Sequence, residues 1–163
     1  MVALLLSACS SSQVHVQPAA SLKTISSNVA LTVDGDGVDP AVVEGLTRYL
    51  KAKLILAGFD LTDSTDSLRL LVDLHSFDPG SAATRLTVGF GAGRESLLYT
   101  ARYLDRDRHV LAEMEGHEYF TGAEPQFNFE YGPATTMGGA ETVQSVLVRE
   151  AAKHIVKLGL GNK

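Results

Sequence analysis

Four features of this chain of 163 residues have the residue types for chemistry. Gly89, Gly91 and Gly93 recur at alternate positions in T-R-L-T-V-G-F-G-A-G-R-E-S, Thr84 to Ser96, with Arg85 and Arg94 on either side, a composition that suits a phosphate cradle. Cys9 is the one thiol, and Asp34-Gly35-Asp36-Gly37 offers carboxylates of the kind that hold calcium. Five histidines, His15, His75, His109, His117 and His154, are spread along the chain.

The elements that must carry these groups narrow the chemistry. A dinucleotide fingerprint sets its glycines between a strand and a helix, so that the helix amides face the pyrophosphate. Here they fall between two strand patterns, spaced G-x-G-x-G. Alternate glycines in a strand leave one face bare, so that another surface packs closely, or permit a bulge. The aspartate loop fails as a helix-loop-helix calcium site: counted from Asp34, the sixth position is Asp39 instead of Gly and the twelfth is Gly45 instead of Glu. His109 and His117 share a strand face at about 27 Å apart, and no Ser-His-Asp order stands out. The chain is expected to carry no metal, no cofactor and no catalytic set.

A composition of 45% hydrophobic and 20% charged residues suits one domain with a real core. The net charge of -5 and the scattered Lys and Arg argue against a nucleic-acid partner. No run of about 18 apolar residues is present, which excludes a transmembrane helix. Cys9 closes L-S-A-C behind the apolar Val2 to Ala8, and this resembles the bacterial lipobox, whose Cys is lipidated and becomes the new N-terminus. Residues 1–8 then read as a signal-peptide remnant, 9–28 as lipidated Cys and flexible tether, and 29–160 as the domain. The basic opening of a signal peptide is missing, which sets the true start upstream of Met1 or marks a clipped chain. By resemblance to Gram-negative lipoproteins, Ser10 after the Cys favours the outer membrane, facing the periplasm.

Val29 to Val33 alternates as a strand. Asp39 and Pro40 are an N-cap and a first helical residue, and Val42, Val43, Leu46, Tyr49, Leu50, Leu54 and Ala57 form an apolar stripe that Gly58 ends. Leu68 to Phe77 sets Leu68, Leu70, Val72 and Leu74 on one face. With Gly93-Arg94 as a hairpin tip, Phe90 faces Leu97, Val88 faces Tyr99 and Leu86 faces Ala101. With Arg106-Asp107 as the next tip, Tyr103 faces Val110, Ala101 faces Ala112 and Tyr99 faces Met114. Arg85 and Arg102 gather on the opposite face, with Glu113 diagonal to Arg102. Residues 120–138, with Phe127, Phe129 and Tyr131, read as a long loop that covers the core edge or meets a partner. Ala140 to Leu158 is a second amphipathic helix, ended by Gly159 and Gly161. The order predicts an α+β fold: a mainly antiparallel sheet (β-α-β-β-β-β-α) with two amphipathic helices packed on one face.

Asp66-Ser67-Leu68 through Phe77-Asp78-Pro79-Gly80-Ser81, and Arg85-Leu86-Thr87-Val88-Gly89-Phe90-Gly91-Ala92-Gly93, resemble the bacterial envelope lipoproteins grouped as domain of unknown function 4410. The resemblance covers most of the chain after Cys9. The turn Asp105 to Arg108 departs from the Asp-then-Gly form of that family. The resemblance implies the anchor and the fold, and it brings no catalytic residues.

The expected function is therefore a binding or scaffolding module of the envelope, not an enzyme, held to the membrane through lipid on Cys9 and meeting an envelope protein partner. Its candidate surface is Arg85, Gly89, Gly91, Gly93, Arg94, Phe127, Phe129 and Tyr131. Two alternatives stand beside it: a phosphate- or nucleotide-binding enzyme using the glycine hairpin, and a carrier of a small apolar ligand.

Overall fold

The computed structural model describes residues 9–64, 66–80, 95–120 and 139–161. The first helix, α1 (Pro40–Leu56), starts where its capping chemistry puts it: the Asp39 carboxylate accepts from the Ala41 N–H at 2.9 Å. Val42, Leu46, Leu50 and Leu54 are fully buried along its stripe, and burial of each such side chain contributes about 2 kcal/mol. Gly58 then takes a left-handed φ of 82°, and the chain leaves the helix. The D-G-D-G segment is the expected strand-to-helix turn, closed by Val38 N–H on the Gly35 carbonyl at 3.1 Å.

Six strands form one mixed sheet: β1 (Cys9–Val16), β2 (Asn28–Asp34), β3 (Asp60–Leu61), β4 (Leu68–Asp78), β5 (Glu95–Leu104) and β6 (Val110–Phe120). Their order across the sheet is β1-β6-β5-β4-β2-β3. The run β4-β5-β6-β1 is antiparallel, whereas β2 lies parallel to both β4 and β3. The parallel pairs arise because α1 carries the chain from β2 back to the same end of the sheet before β3 and β4. The second helix, α2 (Gly139–Leu160), packs beside α1 on the same face. Between the helices and the sheet lie Leu68, Leu70, Val72 and Leu74 of β4, Leu97, Tyr99, Ala101 and Tyr103 of β5, and Ala112 and Met114 of β6. The fold is thus α+β, mainly antiparallel, with both helices on one face.

Three expectations are corrected. The stretch from Cys9 to Val16, expected as tether, is a strand paired with β6 from Cys9 opposite Tyr119 to Val16 opposite Glu113. Ser, Gln and His give no apolar alternation there, and the pairing is made by backbone groups that any sequence supplies. Further along, Leu22 of the expected tether is buried in the core.

Second, β5 does not pair with residues 84–92. Its two sides are taken by β4 and β6: Ala101 faces Val72 and Met114, Tyr99 faces Leu74 and Gly116, and Leu97 faces Phe77 and Glu118. Residues 81–94 themselves lie outside the described residues.

Third, the β5–β6 register is displaced by two residues: Tyr103 faces Ala112 and Ala101 faces Met114. The turn is longer than a two-residue tip. Asp105 N–H bonds the His109 carbonyl at 3.0 Å, and Arg108 takes a left-handed φ of 67°. Because the shift is even, every inward side chain stays inward.

Candidate functional site

The alternation that buries Ala112 and Met114 continues along β6 through Gly116 to Glu118, so it carries a carboxylate into the helix-covered side of the sheet. Glu118 is 1% exposed. Its Oε1 accepts from the Tyr99 hydroxyl of β5 at 3.0 Å and lies 2.8 Å from Nδ1 of His154 on α2. Its Oε2 is buried with no hydrogen-bond partner among the described residues. Gly116 makes this arrangement possible: it stands directly opposite Tyr99, and a methyl group there would overlap the Tyr99 ring. Burial first, then the Glu118 charge and hydrogen bond, hold the Tyr99 phenol well above its ordinary range.

Four residues along β5, Tyr103 repeats the theme. Its hydroxyl donates to the Ile155 carbonyl of α2 at 3.2 Å, and its ring lies where a side chain on Gly159 would be, 2.7 Å from that Cβ position. Burial alone raises its pKa. The cluster of Tyr99, Tyr103, Glu118 and His154 therefore ties α2 to the sheet. A carboxylate and an imidazole in contact form the orienting half of an acid–base pair, but here the Tyr99 phenol is bound to Glu118 of β6 and the Tyr103 phenol to α2, and among the described residues no nucleophile is joined to them.

The opposite face of the sheet is polar. Arg102 lies directly across from Glu113, with Nε to Oε1 at 3.2 Å, and reaches Asp73 of β4 at 3.6 Å. The acid expected beside Arg102 is present, one step closer than the diagonal. His75 and His117 are kept apart by β5: His75 sits at a bulge with Nε2 2.6 Å from the Thr100 hydroxyl, while His117 faces Leu98 on the far side.

Among the described residues, Asp105, Asp107 and His109 bring possible metal-ligand atoms within 4.8 Å of one another. Their contacts are those of a turn. Asp105 Oδ1 accepts the N–H groups of Asp107 and His109, each at 2.8 Å, and Oδ2 lies 3.2 Å from His109 Nδ1. The backbone N–H of His109 is the largest cause holding the Asp105 carboxyl below its usual range.

Of the residues singled out from the sequence, Arg85, Gly89, Gly91, Gly93, Arg94, Phe127, Phe129 and Tyr131 lie outside the described residues. Cys9 is the first described residue and opens β1. Glu118 and His154 were not among the candidates, although the sequence holds a signal for both: Glu118 extends the inward alternation of Ala112, Met114 and Gly116, and His154 lies within the Leu147, Ala151, Leu158 stripe.

A mixed six-stranded sheet with two helices on one face defines an α+β two-layer protein. Its family is defined by sequence: residues 20–123 match the family described as Domain of unknown function (DUF4410), and the chain belongs to it. No curated protein matches the sequence. Two solved structures of a PelC dodecamer from Paraburkholderia phytofirmans share the fold. One matches with a TM-score of 0.60 at 8% identity, and the other, a point variant, with a TM-score of 0.54 at 10% identity. Each match covers 95% of this chain and 100% of the other. A minor lipoprotein from Acinetobacter baumannii is a looser likeness, with a TM-score of 0.46 and 14% identity over 80% of this chain and 89% of its own.

Proposed function

We propose that this protein is a lipid-anchored module of the bacterial cell envelope, attached through Cys9 to the outer membrane on its periplasmic side, which binds a protein partner and does not catalyse a reaction. The observation that carries this reading is that the lipid-attachment candidate lies in a strand of the sheet, paired with β6. β1 opens at Cys9 and pairs at once with Tyr119, so an acyl chain on Cys9 holds the end of the sheet close to the bilayer. Among the described residues, no helix is long and apolar enough to cross a membrane, and a single acyl chain gives only reversible binding, so two or more chains are expected on the N-terminal Cys. The non-catalytic part of the reading is supported by Tyr103 and Glu118, whose contacts go to α2, and by Tyr99, whose hydroxyl is taken up by Glu118.

Labelled palmitate should enter the wild-type protein and not the Cys9→Ser variant, which should also leave the membrane fraction. Equal labelling of both would overturn the anchor. A second reading, assembly with copies of itself, is favoured by one observation: the PelC structures of the same fold are dodecamers. Native mass measurement of the full chain in detergent decides it, since a strict monomer leaves only a partner of another kind.

A further inference from the structure

The sheet ends in β1 on one side and in the short β3, next to β2, on the other. On the β2 side, β3 pairs only with Asn28 and Val29. The carbonyls of Ser27 and Val29 point toward β3, accepting from Asp60 N–H at 2.8 Å and Thr62 N–H at 3.1 Å. A strand directs the N–H and C=O of every second residue to the same side, so those of Leu31 and Val33 point the same way. Among the described residues nothing pairs with them there.

Edge strands are ordinarily blunted by charge, proline or a bulge. The run Val29-Ala30-Leu31-Thr32-Val33 has none of these, and its register against β4 is unbroken. Beside it lies an open cleft of about 300 Å³ that wraps both faces of the edge. Leu31 and Leu61 line the helix side with Lys51 of α1, Ala30, Thr32 and Leu71 line the other side with Arg69 of β4, and Asp63, just after β3, is the one acid of the lining, against two cations. Lys51 and Arg69 are both exposed, and neither forms an ion pair among the described residues.

We infer that this edge is a strand-addition site for an extended peptide of a partner protein, with acidic side chains at adjacent positions. The backbone groups of Leu31 and Val33 pair with the added strand. Adjacent residues of an extended strand point to opposite faces, so one acid meets Lys51 and the next meets Arg69. The flanking positions take apolar side chains against Leu31, Leu61 and Leu71. A free anion would satisfy the two cations but leave the backbone edge unpaired, which is why the chemistry points to a peptide. This gives the binding module proposed above its surface, and it stands or falls separately from the anchor at Cys9.

The test uses the full chain in detergent and the end-capped peptide Thr-Val-Asp-Glu-Val-Thr. Binding should slow hydrogen exchange at the Leu31 and Val33 amides by about tenfold. Lys51→Glu and Arg69→Glu, both at exposed positions, should each weaken binding by about tenfold and together abolish it. The counterpart Thr-Val-Lys-Lys-Val-Thr should not bind. The proposal is overturned if that peptide binds equally, or if inorganic phosphate displaces the acidic peptide while the two amides stay unprotected. It is also overturned if the amides become protected with rising protein concentration alone, because the edge then serves a second copy of this chain. Loss of palmitate labelling with peptide binding intact would sink the anchor and leave the edge site standing.

Discussion

The two helices lie side by side on one sheet, yet they are held by different kinds of contact. α1 rests on an aliphatic stripe, Val42, Leu46, Leu50 and Leu54, and no hydrogen bond between side chains ties it to a strand among the described residues. α2 buries a comparable stripe, but it is also fixed by the Tyr103 bond to Ile155, by the His154–Glu118–Tyr99 chain, and by a ring that fills the space beside Gly159. Apolar burial is non-directional and tolerates small shifts, whereas hydroxyl, imidazole and carboxylate contacts fix both rotation and height. The difference teaches that α2 is the precisely seated helix, while α1 is held mainly by area removed from water.

The most severe way to break this contrast is a pair of substitutions. Gly116→Val, which drives a side chain into the Tyr99 ring, should cost about 3 kcal/mol or more, while Leu50→Met in the α1 stripe should cost less than about 1.5 kcal/mol. Urea midpoints at constant slope measure both, and equal costs would erase the distinction.

A second effect belongs to the α2 side alone. Tyr99 and Tyr103 hold their protons in the fold beyond the ordinary phenol range, while in the unfolded chain they ionise near about pH 10. Their contribution is therefore complete below about pH 10 and is lost as pH rises further, with a slope of up to about 1.4 kcal/mol per pH unit for each tyrosine. Unfolding curves from pH 9 to 11 should show this fall, and Tyr103→Phe should remove one tyrosine's share of the slope. An unchanged slope in that variant would mean that the buried phenols are not its source.

The smallest effect supplies a baseline that touches neither helix. Arg108 occupies a left-handed conformation that costs a non-glycine residue roughly 1 kcal/mol, partly offset by the greater unfolded freedom of glycine. Arg108→Gly should stabilise the protein by about 0.5 kcal/mol, seen as a small rise in Tm with the β5–β6 register unchanged. A fall in Tm would show that the turn's own hydrogen bonds depend on the arginine.

That same turn shows where the sequence was legible and where it was not. α1 could be read to its first residue because Asp39 and Pro40 carry local capping chemistry, and β4 because its inward residues are all Leu or Val. The β5–β6 register was missed because Arg108 stands in a glycine conformation without being glycine, so the loop ran longer than its residues announced. β1 was hidden because edge pairing through the backbone leaves no mark on Ser and Gln side chains. Glu118 and His154 were overlooked for a different reason: an apolar pattern is searched for apolar residues, and a polar group at an inward position looks like the end of the strand.

The pairing of β1 has one more consequence, and it is mechanical. Traction applied at Cys9 along the axis of β1 does not peel the strand away one bond at a time. The seven pairs from Cys9–Tyr119 to Val16–Glu113 are loaded together, in shear, and β6 passes the load into β5 and the buried tyrosines beneath α2. A strand of serines and glutamine that contributes almost nothing to the core is thus the member through which a pull on the N-terminal end reaches the whole sheet.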